Sequence, residues 1–88
     1  MVTGKAWTRA EVLACVVESA RELLPVGSDF DAHSNLVAAG LDSLVVTQLM
    51  LAIEERTGIW LDEGRLTPEN LRSAETLAAC VYEQMARS

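Results

Sequence analysis

The sequence predicts an all-α protein, a small four-helix bundle in which residues 1–88 form a single domain. The length of 88 residues suits one domain. Half of the residues are hydrophobic but only four are aromatic, so the core consists mainly of aliphatic side chains. Apolar residues recur at the helical spacing in several segments, and no stretch alternates convincingly with the period of two that indicates a strand.

The first helix is predicted to begin after Thr8. Thr8 and Glu11 match a capping box, in which each side chain accepts a hydrogen bond from the other residue's backbone N–H. Trp7, just before the cap, lies where a hydrophobic staple is expected. Apolar residues then follow the helical period: Leu13, Val16, Val17, Ala20 and Leu24. Pro25 cannot continue the helix and ends it.

A long loop is predicted over residues 26–41, because turn-forming residues are frequent there. We expect Phe30, Leu36 and Val37 to anchor this loop to the core. A loop of this length in a small domain is either functional or well anchored.

The second helix is predicted from Ser43 to Thr57, with Asp42 as its N-cap and Gly58 as its C-terminal signal. One stripe of this helix faces the core: Val46, Leu49, Met50 and Ile53. A second stripe occupies another side: Leu44, Thr47, Gln48, Leu51 and Glu55. Leu44 and Leu51 are the two large apolar residues of the second stripe. Either the core wraps the helix and buries them, or they form a docking face for partners. We favour the docking face.

The third helix is predicted to be short, from Pro68 to Leu71. Thr67 caps it, and Pro68 takes the first position, where its missing N–H costs nothing. The fourth helix is predicted over residues 74–86, with Ser73 as its cap.

The charge balance excludes several classes of partner. The formal net charge is −6 and no basic cluster is present, so binding to nucleic acid or to an anionic membrane surface is not expected. The longest apolar stretch is about half of the roughly 20 residues that cross a bilayer, and the N-terminus does not resemble a signal peptide. We therefore expect a cytoplasmic protein that meets partners with basic patches.

Residues that could support catalysis or metal binding are scarce. Cys15 and Cys80 lie inside apolar helical patterns, which indicates small buried hydrophobes rather than ligands or a disulfide. His33, the one histidine, lies in a polar loop. No phosphate-binding glycine loop or hydrolase motif is present. We expect no metal site, no catalytic residue and no enzymatic activity.

The run Gly40-Leu41-Asp42-Ser43-Leu44 follows a polar loop and opens an amphipathic helix. In this setting it resembles the attachment motif of the acyl carrier proteins and peptidyl carrier proteins. The size, acidity and helix order of the chain extend the resemblance over nearly all of it. The resemblance implies that Ser43 receives a 4′-phosphopantetheine arm from coenzyme A, and that the thiol of the arm carries an acyl or aminoacyl group as a thioester.

The resemblance also implies roles for neighbouring residues. Asp42 matches the family's aspartate before the attachment serine, and Leu44 matches the following leucine, which commonly touches partners. Leu51 falls on the partner-facing side of the family's recognition helix, and Thr47, Gln48 and Glu55 belong to the same stripe, which we interpret as the docking face. The expected partners are a phosphopantetheinyl transferase and an acyltransferase, adenylating enzyme or ketosynthase, and the carrier is expected to be a monomer.

The recognition helix departs from the pattern of fatty-acid carriers, in which it is densely acidic. Its first three turns hold no acid, and acids cluster later: Asp62, Glu63, Glu69 and Glu75. We therefore expect partners to recognise apolar contacts on this helix together with charge at Asp62 and Glu63. Residues 61–70 resemble discrete carriers of bacterial secondary metabolism, including some that hold amino acids, which favours polyketide, nonribosomal-peptide or antibiotic biosynthesis.

Two alternatives remain at this point. One is a carrier of the fatty-acid type, and the other is an unmodified acidic interaction module in which Ser43 belongs only to the capping sequence. Trp60 either lines the region that receives the arm or its cargo, or packs in the core, and we expect packing. The short ends of the chain suggest a free-standing protein.

Overall fold

The fold is a bundle of three α-helices, described for residues 7–87 by a computed structural model, with the side chain of Glu63 excepted. The helices are α1 (Arg9–Leu23), α2 (Ser43–Thr57) and α3 (Ala74–Arg87). Helix α1 packs against both α2 and α3. Its residues Val12, Val16 and Ala20 are completely buried, so α1 forms the centre of the aliphatic core.

The predicted short third helix at Pro68–Leu71 is absent, so the four-helix count is wrong for the described residues. The predicted cap at Thr67 is present, since the Asn70 N–H donates to Thr67 Oγ1 over 3.2 Å. One helical hydrogen bond follows, from the Leu71 N–H to the Thr67 carbonyl (2.9 Å), but the chain then turns away. Forming one helical turn fixes several backbone torsions and gains only one hydrogen bond. The turn does not extend into a helix here. A 3₁₀ turn at Glu63–Arg65, which the sequence analysis did not predict, precedes this segment.

The helix caps lie where the sequence predicts them. Glu11 N–H donates to Thr8 Oγ1 (3.1 Å) and Thr8 N–H donates to Glu11 Oε1 (3.0 Å), which completes the capping box. At α3, the Thr76 N–H donates to Ser73 Oγ (3.2 Å). Trp7 is half-buried and packs against the core, as a staple should.

The long loop is anchored to the start of α3. The Leu36 N–H donates to the Arg72 carbonyl (2.9 Å), and the Glu75 N–H donates to the Ala32 carbonyl (3.0 Å). An isolated β-bridge accompanies these bonds, between Asn35 and Ser73. Within residues 7–87, this bridge is the extent of the β-structure. The loop is therefore ordered by hydrogen bonds to a distant part of the chain.

Two of the three predicted loop anchors are confirmed. Phe30 and Leu36 are buried, but Val37 is 65% exposed, so its prediction as an anchor is wrong. The Leu36 carbonyl accepts from both the Ala39 and Leu41 N–H groups (3.1 and 2.9 Å). This tight turn directs Leu36 inward and leaves the next side chain outside.

Cys15 and Cys80 are buried free thiols on α1 and α3, in agreement with the sequence analysis. Burial raises the pKa of the Cys15 thiol, so it stays protonated and neutral at physiological pH. His33 is exposed, and its Nδ1 lies 3.3 Å from Glu75 Oε1.

The positive φ of Gly40 leads to a prediction about stability. Gly40 has φ +115°, and a Cβ built there would meet Pro25 Cδ at 3.5 Å. Gly40→Ala should therefore destabilise the protein by about 1–3 kcal/mol through backbone strain. Gly64→Ala is the control, since a Cβ there has nothing within 4 Å and its φ lies outside the left-handed region. Urea denaturation measures both, and equal losses would contradict a special role for Gly40.

Candidate functional site

The site centres on the first turn of α2. Asp42 has an extended backbone, with φ −133° and ψ −176°, and its Oδ1 accepts from the Val45 N–H over 2.9 Å. The Asp42 carbonyl accepts the first helical hydrogen bond, from the Val46 N–H (2.8 Å). The prediction of Asp42 as N-cap is thus confirmed, and Ser43 is the first helical residue. The first N–H groups of a helix lack partners within it and lie at the positive end of its dipole.

The loop presents Ser43 to the outside. Leu41 is buried, and its N–H donates to the Leu36 carbonyl over 2.9 Å. Directly after this anchor, Asp42 and Ser43 are both exposed. A buried leucine therefore fixes the position of a serine hydroxyl that remains accessible to another protein.

A cavity of about 500 Å³ opens beside Ser43. One wall comes from α2: Ser43, Val46, Thr47 and Met50. The other comes from the segment that connects α2 to α3: Trp60, Leu61, Leu66 and Leu71. We call this space the α2 cavity. The accessible serine thus lies at the edge of a predominantly apolar recess.

Polar contacts within the connecting segment, and between that segment and α3, hold the second wall of the α2 cavity in place. Arg65 Nη1 lies 2.7 Å from Glu83 Oε1. Asn70 Nδ2 donates to the Arg65 carbonyl (2.6 Å), and Thr76 Oγ1 donates to the Asn70 carbonyl (2.9 Å). The hydrogen bond from Arg65 lowers the pKa of the Glu83 carboxyl. This pair therefore stabilises the wall above the ordinary carboxyl pKa, and the stabilisation is lost as the pH falls through the lowered value.

The outer stripe of α2 is exposed along its whole length: Leu44, Thr47, Gln48, Leu51 and Glu55. Leu44 is 66% and Leu51 48% exposed. A core that wraps α2 on all sides is therefore excluded. On the other side, Leu49, Met50 and Ile53 are buried and Val46 is half-buried, as the first stripe predicts. A docking role for the outer stripe stays a prediction.

The two predicted acidic partner residues lie after α2. Asp62 is exposed, and Glu63 begins the 3₁₀ turn, although its side chain lies outside the described part of the structure. Both residues belong to the segment that connects α2 to α3, which also contains the cavity residues Trp60 and Leu66.

Trp60 is the cavity residue whose position differs from the expectation. It is 48% exposed and lies at the cavity wall rather than in the core. Leu66 and Leu71, which the sequence analysis did not single out, also line the cavity. Their sequence signal is only that of apolar residues in an irregular segment, so the wall they form was not predictable from periodicity.

Residues 7–87 contain neither a membrane-spanning helix nor a cluster of metal ligands. None of the helices there has the length and apolar character needed to span a bilayer. No group of three or more histidine, cysteine, aspartate or glutamate side chains in the same range is arranged to hold a metal ion.

Comparison with known proteins identifies the family. A family model described as a phosphopantetheine attachment site matches residues 15–81. Aminoacyl carrier proteins 2 and 1 of Bradyrhizobium diazoefficiens are each 31% identical to this chain over 70 residues, which cover 80% of the chain and 79% and 78% of the relatives.

Solved structures agree with this result. One match is to a crystal structure of engineered Bradyrhizobium japonicum glycine:[carrier protein] ligase complexed with a carrier protein from Agrobacterium tumefaciens and ATP. The TM-score is 0.67 at 29% identity, and the match covers 80% of this chain and 95% of that chain. A second match is to a crystal structure of the Bradyrhizobium japonicum glycine:[carrier protein] ligase complexed with glycylated carrier protein. The TM-score is 0.62 at 29% identity, and the match covers 83% of this chain and 97% of that chain.

The matched region contains α2 in full and most of α1 and α3. The curated relatives are named aminoacyl carrier proteins, and the two solved structures contain carrier proteins complexed with a ligase. This chain is likewise a carrier rather than an enzyme. The chain belongs to the family of acyl and peptidyl carrier proteins that bear a phosphopantetheine attachment site.

Proposed function

We propose that Ser43 is the residue that bears the 4′-phosphopantetheine arm. The observation that supports this most strongly is the exposed hydroxyl at the first position of α2, inside the region that matches the attachment-site family. A phosphopantetheinyl transferase is the partner that would add the arm.

The local geometry fits a phosphodiester at Ser43. The first N–H groups of α2, which have no partner within the helix, and the positive end of its dipole stabilise a negative charge there. The Asp42 carboxylate would oppose it, but Oδ1 of Asp42 is directed at the Val45 N–H and its charge is partly compensated there. When bound, the arm supplies a thiol that holds an acyl or aminoacyl group as a thioester.

The residues of this chain then position and present the arm. The cap at Asp42 and the buried Leu41 hold the first turn of α2 in place. The exposed outer stripe supplies contact area for successive enzymes. A carrier must also leave each partner, and small contact surfaces with limited affinity suit that requirement.

An amino acid is the cargo that the relatives favour. The two curated relatives are named aminoacyl carrier proteins, and both structures described above contain a glycine:[carrier protein] ligase. We propose an adenylating ligase as the loading enzyme, in a pathway of polyketide or nonribosomal-peptide type. An acyl cargo, loaded by an acyltransferase and used by a ketosynthase, is the second candidate because the α2 cavity is largely apolar.

The cargo is tested by loading the arm-bearing protein. It is incubated with ATP, single amino acids and an aminoacyl:carrier ligase, and its intact mass is measured. The proposal expects the mass of one aminoacyl group to be added. If no amino acid is added, whereas an acyltransferase transfers an acyl group from its coenzyme A thioester, the acyl candidate is correct.

The outer stripe of α2 leads to a prediction about partner binding. Leu51→Asp or Glu55→Lys should slow transfer to and from partner enzymes at least about tenfold, a loss of roughly 1.4 kcal/mol in binding or transition-state contacts. Both residues are exposed, so the melting temperature should stay nearly unchanged. Ala79→Asp, an exposed helical position on α3, is the matched control and should leave transfer unaffected. Unfolding of the α2 variants, or an equal effect of the control, would contradict the docking face.

A further inference from the structure

Arg72 differs from the other arginines because its side chain has no partner among residues 7–87. Arg72 is exposed, and its backbone alone forms hydrogen bonds there, from its N–H to the Glu69 carbonyl (3.4 Å) and from the Leu36 N–H to its carbonyl (2.9 Å). The other five arginines each have a partner: Arg9 lies over the Tyr82 ring, Arg21 donates to the Phe30 carbonyl, Arg56 pairs with Glu18 and Glu22, and Arg65 and Arg87 pair with Glu83. The Arg72 guanidinium is therefore available to a ligand.

The carboxylates nearest to Arg72 in the sequence do not neutralise it. Glu69 and Glu75 lie three residues before and after it, and both are exposed. Glu75 Oε1 lies 3.3 Å from His33 Nδ1. In the described part of the chain, neither carboxylate forms an ion pair with Arg72. The positive charge of Arg72 is therefore not compensated by its own segment.

The fold brings the backbone of Arg72 close to the proposed attachment site from two directions. The Leu36 N–H donates to the Arg72 carbonyl, and the Leu36 carbonyl accepts from the Leu41 N–H, both over 2.9 Å. Leu41 lies two residues before Ser43. In addition, Leu71, which directly precedes Arg72, lines the same recess as Ser43. A cation without a partner and the serine hydroxyl are thus neighbours in the fold, although 29 residues separate them in the sequence.

The arm would place a lasting negative charge at this point. Its link to Ser43 is a phosphodiester, which is an anion at neutral pH. It would stand beside the exposed Asp42 carboxylate, on a chain whose formal net charge is already −6. The first turn of α2 offsets only part of this charge, because Asp42 Oδ1 already accepts from the Val45 N–H. A guanidinium suits the remaining need, since its planar fork donates to two phosphate oxygens at once.

We propose that the Arg72 guanidinium binds the phosphodiester of the arm and holds the base of the arm beside the start of α3. This inference rests on the proposed attachment at Ser43 and adds a residue that binds the arm. An acidic group on a partner enzyme is the competing ligand for Arg72. The phosphodiester is favoured because the excess of acidic residues on this chain suits partners with basic patches.

The first test measures melting temperatures with and without the arm at low ionic strength. The change in melting temperature on attachment should be about 2–4 °C more favourable in the wild type than in Arg72→Gln, as expected for an exposed ion pair in a small domain. This difference should largely vanish in about 1 M NaCl. Arg87→Gln removes the same charge from the far end of α3 and should keep the wild-type change. An equal change in the wild type and Arg72→Gln, or an equal loss in both variants, would overturn the inference.

The second test observes the two groups directly by nuclear magnetic resonance. The Nε–H signal of Arg72 is assigned by its absence from the spectrum of Arg72→Gln, and it should shift when the arm is attached. The phosphorus signal of the arm should differ between the wild type and Arg72→Gln, and it should be the same in the wild type and Arg87→Gln. An Arg72 signal that does not respond to the arm would overturn direct binding of the phosphodiester.

Intact mass separates this inference from the proposed function. If the arm does not attach to Ser43, the proposed function fails. If the arm attaches but neither the melting temperature nor the Arg72 signal responds, the carrier function stands and the role of Arg72 fails. A slower transfer to partner enzymes by Arg72→Gln in that case would identify an acidic group of the partner as the ligand of Arg72.

Discussion

Replacing Ser43 with alanine is expected to abolish attachment of the phosphopantetheine arm and to leave the fold intact. The attachment needs the hydroxyl, whereas the helix start depends on Asp42, whose Oδ1 accepts from the Val45 N–H. Ser43 is exposed, and alanine is a better helix former than serine, so the free energy of unfolding should change by less than about 0.5 kcal/mol. Intact mass after incubation with coenzyme A and a phosphopantetheinyl transferase measures the outcome.

The control for this experiment is Ser28→Ala, which changes an exposed serine in the long loop. The wild type and this control should each gain the mass of one arm, and Ser43→Ala should gain none. Addition of the arm to Ser43→Ala would show that another residue is the attachment site. A wild type that gains no arm would instead favour the unmodified interaction module.

The bounds of the three long helices could be predicted because their signals are local. The capping box at Thr8 and Glu11, the cap at Asp42 and the left-handed Gly58 each involve atoms within four residues of one another. Gly58 has φ 77° and donates its N–H to the Glu54 carbonyl (2.7 Å). Such interactions depend little on the rest of the fold, so sequence spacing is enough to locate them.

The segment between α2 and α3 was less predictable because distant residues determine it. Its turn at Thr67 has a genuine cap, yet it does not extend into a helix. Arg65 and Asn70 are held by contacts with one another and with α3, across 18 residues in the case of Glu83. Tertiary contacts of this kind override local propensity and leave no periodic signal in the sequence.

The candidate site also has one part that local sequence determines and one part that tertiary contacts determine. The proposed attachment serine and its cap follow from a five-residue motif at a helix start. The α2 cavity does not, because it needs the connecting segment to stand beside α2 with Trp60, Leu66 and Leu71 facing it. The sequence therefore predicts a serine for the arm but does not predict the surface beside that serine.

Leu36→Ala is expected to be the most destabilising of the substitutions considered. Leu36 is completely buried, and removal of a buried leucine side chain typically costs about 2–5 kcal/mol. A domain of 88 residues has a total stability on the order of 4–13 kcal/mol, so the loss is a large fraction of the whole. Urea denaturation monitored by circular dichroism measures it.

Val37→Ala is the matched control, because Val37 is the next residue and 65% exposed. It should change the free energy of unfolding by less than about 0.5 kcal/mol. Equal and small losses in the two variants would mean that the loop is not anchored through Leu36.

The Leu36 variant also tests how the loop serves the attachment site. The Leu36 carbonyl accepts from the Leu41 N–H, and Leu41 precedes Asp42 and Ser43. A loosened anchor lets the first turn of α2 fray, so the hydroxyl is in its native position for less of the time. At a temperature where the variant is still folded, the arm should be attached more slowly to Leu36→Ala than to Val37→Ala. Equal rates would show that the cap at Asp42 holds Ser43 in place without the loop.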